Sequence, residues 1–319
     1  MPNRLNNLGI VSLPLILVFA TLLGLTIYAG SRSYMSPEGM KASPSPSAEV
    51  SPSPSPSPSP SPSPSPSPSP SPTPTPAPSL TPKPSATTAP APAAGATGGG
   101  NIQTERGSFR ATVVTLPISA QMITDTANDS DCAADCATKP LADYINHFGG
   151  YAGIVGTYTC PADYADCSSK KDSFDFPVYN TRLGKWINEG NMGWGGRSMI
   201  YQDNGGQYHY RQSAGGVGGI KAGIINYPGI LDNGHITVEG GSLSAKQGAK
   251  GSKCGMGFNS SNIFLVCAYN VDMFDFATVF KTLGAQNALN LDGGGSSALY
   301  NGGYKAGPGR KLPNAIVFK

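Results

Sequence analysis

The chain is poor in charge. Only 13% of its 319 residues are Asp, Glu, Lys or Arg, and the formal net charge is +3. No basic stripe with interleaved aromatics occurs, so nucleic acid is not an expected partner. Histidine is scarcer still: His147, His209 and His235 stand apart, at no ligand spacing. There is no Cys-x-x-Cys, so a zinc site is not expected. The acidic stretch Asn128 to Asp135 lacks the central glycine of a calcium loop, and Pro140 stands where the closing glutamate belongs. We therefore expect no metal and no cofactor. Cysteine is absent from the first hundred residues; all six lie beyond them, as in an exported domain.

What is present divides the chain into three. Leu8 to Gly30 is an uncharged, mostly apolar run of 23 residues, long enough to span a bilayer as a helix. Arg4 precedes it, which puts the rest of the chain outside by the positive-inside rule. A cleaved signal peptide is the competing reading, with Ala29-Gly30-Ser31 as its cleavage site. From Ser43 to Pro78 the chain is almost purely Ser-Pro and Thr-Pro. Alternate prolines lack a donor and hold extended angles, so no core can form there. The segment reads as a disordered polyproline spacer, reaching on the order of 100 Å if fully extended. Thr81 to Gly100 reads as a flexible hinge. The expected domains are thus an anchor at 1–30, a linker at 31–100 and a folded domain at 101–319.

The folded part is rich in turns. Ala111 to Leu116 reads as an opening strand, Leu141 to Phe148 as a helix ended by Gly149, and Tyr151 to Tyr158 as a buried strand. Ser198 to Gln212 reads as a hairpin around Asn204-Gly205-Gly206, Gly219 to Asn226 as a strand, and Ile230 to Val238 as a turn at Asp232-Asn233-Gly234. Asp275 reads as the cap of a helix carrying Phe276, Val279, Phe280 and Leu283 on one face. Asn287 to Leu291 and Ala315 to Phe318 read as strands, with a hairpin turn at Tyr300-Asn301-Gly302 between them. The expected fold class is α+β: a twisted mixed β-sheet with hairpins and a few packed helices.

Hairpin arithmetic predicts one disulfide. Gly255 to Phe258 and Ile263 to Val266 flank the turn Asn259 to Asn262. If Phe258 faces Ile263, Cys254 falls opposite Cys267, close enough for a bridge. Cys160 with Cys167, and Cys132 with Cys136, could each close a small loop.

The densest chemistry is at Asp292-Gly293-Gly294-Gly295-Ser296-Ser297. An apolar run delivers an aspartate to a strand end. The glycines and serines that follow offer N–H and hydroxyl donors, an anion cradle beside a fixed carboxylate. No Gly-Lys-Ser/Thr follows, which excludes a nucleotide P-loop. The bland alternative is a tight Asp-Gly turn, but three glycines and two serines exceed what a turn requires.

This stretch resembles the signature of the phosphodiester glycosidase family. Leu283-Gly284-Ala285 before it, Arg310 and Asn314-Ala315-Ile316-Val317 after it, Tyr227 to Gly234, and Gly153 to Tyr158 extend the resemblance over about Phe109 to Lys319. It implies hydrolysis of a sugar-1-phosphodiester, with a carbohydrate or glycan-phosphate substrate from cell-wall or exopolysaccharide material. Asp292 and Arg310 would be the catalytic pair. Gly293, Gly294, Gly295, Ser296, Ser297, Lys253, Thr157, Tyr158 and Asn314 would bind substrate. Two positions depart from the family: Val155 stands where asparagine begins the glycine–aromatic segment, and Lys253 where arginine is common. Both open the alternative of a surface glycan-binding module that has lost turnover. Trp186 and Trp194 lie in a glycine-rich stretch suited either to stacking on sugars or to filling a core, and Glu189 beside them would be a second carboxylate if Trp194 lined the cleft.

Overall fold

In a computed structural model, the structure describes residues 96–213 and 215–319. The apolar span at 8–30 and the Ser-Pro spacer lie outside the described residues. Among the described residues no helix is long and apolar enough to cross a membrane.

Local turn chemistry explains most of the architecture. Asn233 and Gly234 both take positive φ, 48° and 81°, the geometry of a two-residue hairpin turn. They return His235–Ile236 against Gly229–Asp232. Further hairpins join Ser198–Asp203 to Tyr208–Arg211, Gly251–Phe258 to Asn262–Val271, and Leu299–Asn301 to Tyr304–Ala306. Hairpins make antiparallel neighbours, whereas parallel ones need long crossovers. Every strand pairing among the described residues is antiparallel, so the expected mixed sheet is corrected to antiparallel sheets.

There are three sheets. The largest runs Ala96–Thr104, Gly107–Pro117, Asn262–Val271, Gly251–Phe258, Asn287–Gly293, Gly229–Asp232, His235–Ile236. Its first strand reaches into the stretch read as hinge: Ala96 to Gly100 pair with Thr115 to Ala111. A second sheet runs Tyr304–Ala306, Leu299–Asn301, Ala152–Val155, Asn314–Phe318, Met122–Thr126. A third runs Lys185–Ile187, Val178–Asn180, Ile220–Asn226, Ser198–Asp203, Tyr208–Arg211.

The large sheet is covered on both faces. On one lies the helix Met273–Thr282, which we call α2; the earlier helix Leu141–Phe148 is α1. The α2 rings Phe276 and Phe280 are fully buried, each worth roughly 1.5–3 kcal/mol of apolar burial. They sit close because Gly255 and Gly257 lie beneath them: a Cβ would come within 3.0 Å of Phe276 and 2.7 Å of Phe280. The cap of α2 is Asp272 rather than Asp275. The Asp272 carboxylate accepts from the Asp275 backbone N–H at 2.8 Å, and the Asp275 side chain returns the bond to the Asp272 N–H. On the other face Met256, Leu265, Leu289 and Leu291 pack with Ile154, Leu299, Ile316 and Phe318 of the second sheet and Ile200 and Ile224 of the third. Helix α1 buries Leu141, Tyr144 and Ile145 and ends at Gly149 in left-handed conformation, as its sequence indicates.

All three cysteine pairs are bridged: Cys132–Cys136, Cys160–Cys167 and Cys254–Cys267. The hairpin register places Cys254 opposite Cys267 and Phe258 opposite Ile263.

Candidate active site

The strand Asn287–Gly293 is apolar because it is interior, with Leu289 and Leu291 in the central core. Its last residues emerge at the floor of a cleft of about 630 Å³. Three stretches line it. The motif strand supplies Asn290 to Gly294, the disulfide loop supplies Cys160, Tyr164, Asp166 and Cys167 beside Tyr158 and Thr159, and the segment from Ser244 to Lys253 forms the facing wall.

Asp292 is buried in that floor. Its Oδ1 accepts from the Gly293 N–H at 2.8 Å and its Oδ2 from the Thr159 hydroxyl at 3.2 Å. Burial pushes its carboxyl up to about 6, against the opposing pull of the Gly293 N–H, the Ser296 and Thr159 hydroxyls and the Arg310 charge. Desolvation disfavours the charged form, and it outweighs the donors here. The backbone N–H of Asp292 is fixed by the Gly156 carbonyl at 2.9 Å.

Lys253 stands opposite Gly293 in the strand register and lines the same cleft. Its Nζ donates to the Ala249 carbonyl at 3.1 Å, and among the described residues it makes no ion pair. Burial lowers its pKa. Lys250, in contrast, pairs with Asp275 at 3.3 Å, and the Lys246 Nζ lies 4.4 Å from the centre of the Tyr164 ring. Lys246, Lys250 and Lys253 make one wall of the cleft basic, a grouping that the sequence, with no basic stripe, does not show. Thr159 was also missed.

The other expected site residues are brought together in two ways. Tyr158 lines the cleft, its hydroxyl accepting from Asn290 Nδ2 at 2.6 Å. Gly293 and Gly294 line it; Gly295, Ser296 and Ser297 do not, although the Ser296 hydroxyl bonds to the Asp292 carboxylate. Arg310 lies against Gly295, where a Cβ would come within 2.6 to 2.8 Å of three guanidinium atoms. It donates to Ser296 Oγ at 3.4 Å, pairs with Asp163 and lies 5.2 Å from the Tyr164 ring centre. Thr157 and Asn314 are buried and bonded to each other: the Thr157 N–H donates to Asn314 Oδ1 at 2.8 Å, and Asn314 Nδ2 donates to Thr157 Oγ1 at 3.2 Å. They support the Gly156 carbonyl that fixes Asp292 rather than line the cleft.

Val155 is a core residue of the second sheet, packed in the central cluster and not facing the cleft. Glu189 and Trp186 line a separate cavity with Met192 and Ile220, so Glu189 is not the partner carboxylate of Asp292. Trp194 is 47% exposed and stacks on Arg197.

The model of the phosphodiester glycosidase family matches residues 177–319, a span that includes Asp292, Lys253 and Arg310. No curated protein sequence matches the chain. Among solved structures, a hypothetical protein from Synechocystis aligns with a TM-score of 0.50 at 16% identity, covering 70% of this chain; this chain spans 61% of that one. The catalytic domain of zebrafish N-acetylglucosamine-1-phosphodiester alpha-N-acetylglucosaminidase, auto-inhibited by its pro-peptide, aligns with a TM-score of 0.53 at 15% identity, over 70% of this chain and 82% of its own. These two likenesses are of fold. Residues 177–319 carry a phosphodiester glycosidase family domain, and the resemblance first read at Asp292 and its glycines holds in sequence and in fold.

Proposed function

We propose that the domain hydrolyses sugar-1-phosphodiesters. The carrying observation is Asp292, a buried carboxyl pushed up to about 6 on the floor of a cleft whose wall presents Lys253. The substrate would lie with its anomeric carbon at Asp292 and its phosphate at Lys253 and the Gly293–Gly294 backbone. Water attacks the anomeric carbon and gives its proton to Asp292. The bond from that carbon to the phosphate oxygen breaks, and its electron pair leaves with the phosphomonoester. A phosphomonoester is stable as an anion near neutral pH, so departure needs no second carboxylic acid. This leaving group removes the need for the acid member of the carboxylate pair of ordinary glycosidases, and the reading assigns no such role to Asp166 in the cleft wall. Lys253 and the backbone donors would neutralise the leaving group.

The three disulfides support an oxidising compartment. We place the domain outside the cell membrane, tethered by the span at 8–30 through the Ser-Pro spacer, acting on cell-wall or exopolysaccharide phosphodiesters. The alternative reading, a glycan-binding module without turnover, draws on Lys253, which keeps the charge of the family's arginine but loses its planar fork.

The test is turnover of a chromogenic sugar-1-phosphodiester panel by the full chain beside Asp292→Asn. Cleavage lost in the variant supports the hydrolase. Glycan binding by both forms, with turnover by neither, supports the binding module.

A further inference from the structure

Outside the catalytic cleft, one cation is built into an unusual setting. Arg197 is half-buried, with its guanidinium carbon 3.7 Å from the centre of the Trp194 ring and 4.4 Å from that of Phe176. With rings over the guanidinium, its N–H groups are available at the edge. One of them donates to the Asn191 carbonyl at 3.2 Å. Among the described residues Arg197 makes no ion pair. Its desolvation works against the charged form, and the charge of Asp175, beyond ion-pair distance, compensates only in part. A desolvated guanidinium without a bonded counter-ion is poised to accept an anion.

The surroundings point to sugar. Trp194 is one of only four large hydrophobic side chains exposed among the described residues. It sits between Gly193 and Gly195, where even an added Cβ would meet nothing within 4 Å, so the indole can be approached. An open indole beside an unpaired guanidinium offers one surface to pyranose C–H groups and another to an acid group. The stack also connects to the cleft: Phe176 lies 6.1 Å, ring centre to ring centre, from Tyr158, which lines the wall above Asp292.

We propose that Trp194 and Arg197 form a second saccharide subsite that takes an acidic sugar, one bearing a carboxylate or phosphate, in a glycan that continues from the Asp292 cleft across Tyr158 and Phe176. The extension rests on the carbohydrate reading of that cleft; binding at the subsite does not require turnover. Arg197 grips the acid group edge-on, and Trp194 packs against the ring that carries it. The protein would therefore select a charged polymer over a neutral one.

The experiment is calorimetric titration of the full chain carrying Asp292→Asn, so that nothing is cleaved. The probes are a galacturonic acid hexamer, its neutral methyl-ester form and a phosphomannan. The expected result is that at least one acidic probe binds tenfold or more tightly than the neutral one. Arg197→Met should remove that preference, Arg197→Lys should restore part of it, and Trp194→Leu should weaken all probes. Thermal melts on each variant identify any loss due to unfolding; Trp194→Leu, at an exposed position, tests the site even if Arg197→Met does not fold. Preference for the uronate or for the phosphomannan names the acid group. Equal binding of acidic and neutral probes, or full acidic preference in Arg197→Met, overturns the subsite. Turnover that survives Asp292→Asn overturns the hydrolase and leaves these binding results standing.

Discussion

Lys253 stands opposite Gly293 in the strand register, one residue along from Asp292, so a single register puts a buried lysine and a buried carboxyl in the lining of one cleft. Among the described residues the Lys253 Nζ donates to the Ala249 carbonyl and makes no ion pair, which leaves N–H donors for a ligand. Lys253→Met should lower kcat/KM by roughly ten- to a hundredfold, the worth of one charge-assisted bond at about 1.5–3 kcal/mol. Lys253→Arg should keep most activity, because it keeps the positive charge and its N–H donors. Steady-state kinetics on the three proteins decide this; a Met variant with wild-type kcat/KM would remove Lys253 from phosphate binding.

The raised Asp292 carboxyl fixes two pH dependences. As the base, it acts only when ionised, so kcat/KM should rise with pH up to about 6 and then level off. Stability should move the other way. The unfolded chain releases this proton near the ordinary value of 3.8, while the folded chain holds it to about 6. Between these values the folded state binds more protons, so stability falls as pH rises through the window and is flat above it. Asp292→Asn should be more stable than wild type at neutral pH, by roughly 3 kcal/mol for a shift of this size, with the gap closing near pH 4. Denaturant melts at the two pH values test it; an equal gap at both would mean the carboxyl is not perturbed.

Much of this was legible in the sequence because it is local. The sum rule for opposed hairpin residues found Cys254–Cys267, and the apolar run before Asp292 found the site strand. The misses needed tertiary information. Asp272 and Asp275 both precede the apolar face of α2, and only the geometry shows which carboxylate reaches an N–H three residues on. Lys246, Lys250 and Lys253 become one wall only when the segment carrying them faces Asp292. Val155 aligned with a polar family position but is held in the core by its strand, which a spacing argument does not show.

Gly156 tests the support beneath the site. A Cβ there would lie 1.8 Å from Asn314 Oδ1 and 2.8 Å from the Asn314 carbonyl oxygen. Gly156→Ala must therefore displace Asn314, whose amide satisfies the buried Thr157 N–H. Asn314→Ala leaves that N–H unbonded at a cost of about 1–3 kcal/mol. Gly156→Ala should cost at least as much and should also reduce turnover, since the Gly156 carbonyl fixes Asp292. Urea melts with parallel rate measurements check both; a Gly156→Ala protein of wild-type stability would contradict the packing.

The two longer disulfide loops should separate stability from function. By loop entropy, removing Cys254–Cys267 costs about 3 kcal/mol and removing Cys160–Cys167 about 2.5 kcal/mol. Their surroundings differ more than these costs. Cys254 and Cys267 are buried in the core, and their loss acts on the whole fold. The Cys160–Cys167 loop forms a cleft wall, and it carries Asp163, which pairs with Arg310, and Tyr164, which lies against Arg310 and Lys246. Opening it releases the hold on Arg310 and hence on Ser296, a donor to Asp292. Cys160→Ser with Cys167→Ser should lose turnover tenfold or more per folded molecule, while Cys254→Ser with Cys267→Ser should lose mainly folded fraction. Rates normalised to the folded population measure the contrast, and equal normalised rates would show that the loop only closes chain without positioning the site.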